Sequence, residues 1–281
     1  MLSLTGPFAA DRRPSRATVS LVLTLFVLAA SLLSLTSGAA GLGLTDLLAA
    51  PFGEGLSARD RVVLYDIRLP RLALGLAVGA ALAVCGALLQ GLFRNPLADP
   101  GIVGVSAGAG LGAVVAIVLG GLLPIGIAGL IGPSLVSLAA GFGGWIATLI
   151  LYRIATSGRR TDVALMLLAG IALSALAGAA TGVLTYIADD RQLRDLTFWS
   201  MGSLAGATWT KLAVTLPLIG LALAVAPRLA RGLNALALGE AQAAHMGVDV
   251  QRVKRLAVLC AAVGTGAAVA VSGGKIGRSH V

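Results

Sequence analysis

The feature that most restricts this chain is a succession of seven apolar runs, each of about 20 residues and nearly free of charge. They cover Ala17 to Leu35, Leu72 to Phe93, Ile102 to Leu123, Leu135 to Tyr152, Val163 to Ile187, Leu212 to Ala230 and Leu256 to Ser272. At a helical rise of ~1.5 Å per residue, such a run matches the ~30 Å hydrocarbon core of a bilayer. Composition excludes a water-soluble globule. Of 281 residues 57% are hydrophobic and 12% charged, and the mean hydropathy is +0.94, which leaves too little polar surface for a soluble fold of this length. The expected fold class is all-α, a polytopic helical membrane protein, with residues 1–281 forming one transmembrane domain.

Cation placement predicts the orientation. With the N-terminus in the cytoplasm, the inner loops hold Arg12, Arg13, Arg16, Arg94, Arg153, Arg159, Arg160, Arg228, Arg231, Arg252, Lys254 and Arg255. The outer side then holds Arg59, Arg61, Arg68, Arg71, Arg191, Arg194, Lys211, Lys275 and Arg278. Twelve against nine is a modest excess in the direction the positive-inside rule requires. The net charge of +9 follows from this topology and calls for no nucleic acid. A cleaved leader is the rival reading of the first run, since Arg12, Arg13 and Arg16 precede it and it ends near small residues. The run is long for a leader, and further spans follow it.

Cys85 and Cys260 each sit inside an apolar run, where a lone thiol behaves as a small hydrophobe. His245 and His280 have no partner at metal-ligand spacing, so no metal site is expected. All twelve acids, Asp11, Asp46, Glu54, Asp60, Asp66, Asp99, Asp162, Asp189, Asp190, Asp195, Glu240 and Asp249, fall in loops or at span ends. An ion-driven carrier needs an ionisable group at membrane depth. The phosphate-binding pattern GxxxxGK[ST] is also missing, so energy for uphill transport has to arrive through a partner.

One polar stretch interrupts the apolar pattern, LGEAQAAHMGVDVQRVKR from Leu238 to Arg255. Its first part can form about two helical turns with Leu238, Ala241 and Ala244 or His245 on one side and Glu240 and Gln242 elsewhere. Glu240 suits the start of such a helix and Gly247 its end. A short rigid knob of this kind can be gripped by a cytosolic motor; on amphipathicity alone, a solvated loop helix is the plainer reading.

Between the second and third runs, RNPLADPG breaks the helix, because Pro96 and Pro100 lack a donor and disfavour helix at the residue before them. Asn95 lies in this break, and Asp99 can cap the third span. A structural turn is the expectation here, and packing is the expectation for Gly104, Ser106, Gly108 and Gly110. In RLPR, Arg68 and Arg71 precede a span on the outer side, where they either snorkel toward head groups or pair with carboxylates. Asp189, Asp190, Arg191 and Arg194 lie on the same side and read as a solvated charged loop. The fifth run carries Ser174, Gly178 and Thr181 in a small-residue stripe, suited equally to packing or to a weakly binding pathway wall.

Three stretches resemble one family. Ile67 to Val114, IRLPRLALGLAVGAALAVCGALLQGLFRNPLADPGIVGVSAGAGLGAV, is similar to the second and third spans of the permease subunits of binding-protein-dependent ABC importers for vitamin B12, ferric siderophores and haem. Leu193 to Trp209, LRDLTFWSMGSLAGATW, is similar to the family's segment entering the sixth span and leans toward haem permeases. The LGE at Leu238, Gly239 and Glu240, with Gly247 seven residues after the Glu, resembles its coupling helix.

The resemblance implies a permease subunit, itself not an enzyme, in the bacterial inner membrane. Two copies would form a homodimer, and the knob would sit in a cleft of a cytosolic ATP-binding subunit that holds ATP and Mg, with no cofactor on this chain. It implies that Arg68 and Arg71 receive an acidic residue of a periplasmic substrate-binding protein, and that the fifth span borders the pathway. It also implies ten spans, whereas this chain reads GKIGRSHV after Gly273, so the last roughly three helices of the family are expected to be lacking and the product shortened. A haem or related iron-chelate permease is the expected function. A ferric siderophore or cobalamin permease, a self-coupled secondary carrier and a truncated inactive product are the alternatives.

Overall fold

The computed structural model describes residues 15–38, 43, 56–124, 132–157 and 160–273. Arg12, Arg13, His280 and the GKIGRSHV tail lie outside these residues. Among the described residues, seven helices are long and apolar enough to cross a membrane. The chain divides into two compact units, residues 1–72 and 73–281.

The first unit opens with α1, Arg16–Thr36, whose N-cap Ser15 accepts the Thr18 N–H at 3.1 Å. No residue of α1 is buried, as suits an apolar helix whose solvent is lipid. Helix α2, Ala58–Val62, starts where the Ser57 hydroxyl accepts the Asp60 N–H, and it runs through a π-helical turn, Val63–Arg68, into α3, Leu69–Phe93. The whole stretch Ala58–Phe93 is 36 residues of helix. It begins well ahead of the apolar run at Leu72, because a cap fixes where a helix starts whereas hydropathy marks only where lipid does.

In the second unit α3 ends at the RNPLADPG break. A 3-10 turn, Pro100–Val103, follows, capped by Asp99 through the Gly101 N–H at 2.6 Å. Gly104 then takes a left-handed conformation, φ 76°, before α4, Val105–Leu119. Asp99 thus caps this turn rather than the third span, which starts three residues later than the apolar run does. The remaining helices are α5, Leu135–Ala155, α6, Val163–Ile187, α7, Asp190–Met201, α8, Trp209–Ala237, α9, Glu240–His245, and α10, Val250–Ser272. Two-residue strands, β1 (Thr156–Ser157) and β2 (Arg160–Thr161), pair antiparallel between α5 and α6. Helices α8 and α10 extend beyond their apolar runs, the first to Ala237 and the second back to Val250, carrying Arg231, Arg252 and Lys254 on helical backbone.

The charged stretch around Asp189 corrects the expectation of a loop. Asp189 accepts the Gln192 N–H at 2.8 Å, and Gln192 Oε1 accepts the Asp189 N–H at 3.1 Å, a reciprocal capping box that satisfies two donors and starts α7. Gln192 Nε2 also donates to the Val118 carbonyl at the end of α4, 3.1 Å away.

Helix α10 is the innermost span of this unit: 61% of its apolar stretch is buried, against 39% or less in α4, α5, α6 and α8. Cys85, Leu88, Leu89 and Leu92 of α3 pack with Leu229, Leu233 and Leu236 of α8 and with Ala257, Val258 and Ala261 of α10. A second cluster joins Leu74, Val78 and Ala81 to Leu212, Ile219, Ala267 and Ala268. Helices α4 and α5 approach through glycine: a Cβ on Gly108 would overlap Ala147, and one on Gly112 would overlap the Ala139 carbonyl.

Candidate functional site

Two features of the second unit stand out: an open cavity and a short helical knob. The cavity, about 1550 Å³, is walled by α3 from Gly75 to Gln90, by the break from Pro96 to Gly101, and by Ser106 and Gly110 of α4. Ser174, Gly178, Thr181 and Thr185 of α6, and Thr197, Trp199 and Ser200 of α7, complete it. All three pathway candidates of the fifth span therefore face one space. The small-residue stripe of α4 divides, with Gly108 turned to the α5 seam and Ser106 and Gly110 turned to the cavity. The break serves as both turn and wall: Asn95 Oδ1 accepts the Leu97 N–H at 2.9 Å, while Pro96, Asp99 and Pro100 border the cavity. Among the described wall residues Asp99 alone carries a charge, and its carboxylate is already engaged by the Gly101 N–H. Hydroxyls on α6 are turned back on their own helix: Ser174 Oγ donates to the Gly170 carbonyl at 2.8 Å and Thr185 Oγ1 to the Thr181 carbonyl at 2.8 Å. A wall of this kind offers few strong contacts to anything passing it.

The knob is α9. Gly239, φ 116°, turns the chain out of α8, and Gly247, φ 79°, turns it toward α10. The Gly247 N–H donates to the Ala244 carbonyl and the Val248 N–H to the Ala243 carbonyl, the paired bonds of a Schellman stop. Ala243 is fully buried and anchors the helix, whereas Leu238, 67% exposed, together with Ala241, Ala244, His245 and Met246, faces outward.

Glu240 is half exposed and its carboxylate reaches toward α10. Its Oε1 lies 2.7 Å from Nζ of Lys254, which is 3% exposed, while Glu240 is 49% exposed. Lys254 Nζ also donates to the Thr161 carbonyl at 2.8 Å, and the Thr161 N–H donates to Gln251 Oε1 at 2.8 Å. The sequence pattern gave no sign of this network, because Glu240 and Lys254 meet across a turn and match no helical or strand spacing. The α7 residues on the cavity wall were also missed, although the Asp189 to Gln192 spacing was a readable helix start.

The first unit holds Arg68 and Arg71. Arg68 is 8% exposed and its guanidinium donates to the Leu35 carbonyl at the end of α1, where helical carbonyls lack partners of their own. Arg71 is exposed. Burial therefore separates the two arginines that the sequence presents as a pair.

The match to known proteins covers nearly the whole chain. The model of the FecCD transport family matches residues 25–276. The chain is 46% identical over 212 residues to the hemin transport system permease protein of Yersinia pestis, covering 74% of this chain and 61% of that protein. It is 44% identical over 230 residues to the cobalamin import system permease protein of Halobacterium salinarum, covering 82% of this chain and 60% of that protein. The chain thus spans about three fifths of the length of these relatives. A solved structure described as an inward-facing conformation of a metal-chelate type ABC transporter superposes with a TM-score of 0.77 at 29% identity, over 92% of this chain and 76% of that one. With its family model matched from the first span to the last, this polytopic helical membrane protein belongs to the FecCD transport family.

Proposed function

We propose that this chain is the membrane-spanning subunit of an ATP-driven importer that passes haem or a related iron chelate across a bacterial inner membrane. The observation that carries the reading is the presence, in one compact unit, of an open cavity walled by Ser, Thr, Gly and Ala together with a rigid knob whose apolar face is turned outward. Family membership supports it, as do the hemin and cobalamin permeases among the relatives. ATP and Mg²⁺ belong to a separate cytosolic subunit that grips the outer face of α9, and two copies of this chain pair around the pathway. A periplasmic binding protein delivers cargo: Arg71 takes its acidic group directly, and Arg68 joins when it releases the Leu35 carbonyl. Closure of the ATPase pair tilts the spans as rigid bodies and reshapes the cavity.

The test is reconstitution with the ATP-binding subunit and the binding protein in liposomes loaded with ATP, scoring hemin accumulation. Leu238→Asp with Met246→Asp is expected to abolish stimulation of ATP hydrolysis while the chain still inserts. Uptake that persists without ATP in the presence of an ion gradient would establish a secondary carrier instead. Cobalamin is the second cargo to test, because the 44% identity to a cobalamin permease runs over 230 residues; its accumulation in place of hemin would reassign the substrate.

A further inference from the structure

We propose that Lys254 is a positioning residue that ties the α9 knob to the cavity-lining helix α6, so that movement of the knob is carried to the cavity wall through the backbone of Thr161. The inference rests on the importer reading, in which α9 is where force enters. Lys254 Nζ holds Glu240 Oε1 at 2.7 Å and the Thr161 carbonyl at 2.8 Å. One turn earlier on α10, Gln251 accepts the Thr161 N–H at 2.8 Å. Both backbone groups of a single residue are therefore clamped to α10, and the first residue of the knob is clamped to the same ammonium.

Thr161 leads directly into α6. Its neighbour Asp162 caps that helix, accepting the Ala164 and Leu165 N–H groups at 2.8 and 3.1 Å. Helix α6 then runs 25 residues and presents Ser174, Gly178 and Thr181 to the cavity. A helix is stiff along its axis, so a displacement imposed at its first turn reaches residues three to five turns further on.

The linkage has room to act. Beside the pair lies a space of about 480 Å³ that Arg94 and Asp162 also line. Arg94 and Asp162 thus bring a second cation and a second anion to the border of the same space. The ammonium is buried, and a buried charge holds its position only while it has partners, which favours discrete arrangements over gradual drift.

Lys254→Met keeps most of the length of the side chain and removes the charge; Glu240 is 49% exposed and its carboxylate stays hydrated, so the loss falls on the Thr161 carbonyl, which is left without its donor. The first measurement needs no partner: spin labels at Ala241→Cys and Ala164→Cys, in a chain with Cys85→Ala and Cys260→Ala, report the knob-to-α6 distance in nanodiscs. Lys254→Met is expected to broaden that distance distribution and Lys254→Arg to retain the wild-type one; a distribution unchanged by Lys254→Met overturns the proposal. The second is the ratio of hemin accumulated to ATP hydrolysed in the reconstituted complex. Lys254→Met is expected to lower it about fivefold or more, the low end of a coupling between two sites, with Lys254→Arg restoring it. An unchanged ratio, with losses only in the yield of complex, would make Lys254 a structural staple and overturn the proposal. Should the labels respond while the wild-type complex shows no ATP-dependent uptake, the linkage stands and the importer reading falls.

Discussion

Glycine does two different jobs on α4, and the side chains beside each one decide which. At Gly112 a Cβ would run into the Ala139 carbonyl and the Gly143 backbone, which cannot rotate away as a flexible side chain can. At Gly110 nothing lies within 4 Å, because the position opens on the cavity. Gly112→Ala should therefore separate α4 from α5 and cost about 1–3 kcal/mol, the range for overpacking a fitted interior. Gly110→Ala should leave stability unchanged or raised by about 0.5–1 kcal/mol through helix propensity, and should act on transport instead. Thermal unfolding in detergent separates the two. Equal melting temperatures for both variants would mean that α4 and α5 do not meet through glycine. Nothing in the sequence says which of these two glycines, two residues apart on α4, meets a neighbouring helix. The face each occupies is set by where α5 packs, a contact between segments distant in the chain.

Helix α7 shows how the ends of elements are fixed by hydrogen bonds that hydropathy does not register. Gln192 contributes to two of them: it closes the capping box with Asp189 and reaches the Val118 carbonyl at the end of α4. Gln192→Ala removes both of these side-chain bonds and leaves the Asp189 cap on the backbone N–H of residue 192, so the first turn of α7 is expected to lose about 0.5–1.5 kcal/mol of local stability, the range of a lost hydrogen bond. Faster hydrogen exchange at residues 190–194, with α10 unchanged, is the expected reading; unaltered exchange there would show that the cap does not hold the helix. The seven spans and the RNPLADPG break were legible in the sequence because burial in lipid demands about 20 apolar residues and because proline lacks a donor. The Gly247 stop of α9 was legible for a similar local reason: a left-handed position favours glycine. Hydropathy could not give the true ends of α8 and α10, since helical hydrogen bonding continues past the lipid into charged sequence. The Glu240, Lys254 and Thr161 network was illegible because it is made of tertiary contacts, two of them reaching back ninety residues or more to Thr161.

Across the molecule, the distribution of charge predicts an orientation for the bundle. In the second unit Arg94, Arg153, Arg160, Arg231, Arg252, Lys254 and Arg255 fall, by alternation of spans, at the end that carries the knob. Arg191, Arg194 and Lys211 fall at the end that carries α7. Loops rich in Arg and Lys stay in the cytoplasm, so the knob should face the compartment that holds ATP and α7 the opposite one. A single span, α8, separates Asp195 from Ala241, which makes the prediction sharp. In vesicles of defined sidedness, a membrane-impermeant maleimide should label Ala241→Cys from the cytoplasmic face alone and Asp195→Cys from the other face alone. The native Cys85 and Cys260 are buried among apolar side chains and should stay unreacted. Labelling of both sites from one face would mean that α8 does not cross. A reversed pattern would leave the knob where no ATP-driven partner could reach it, and the importer reading would have to be abandoned together with the force path through Lys254.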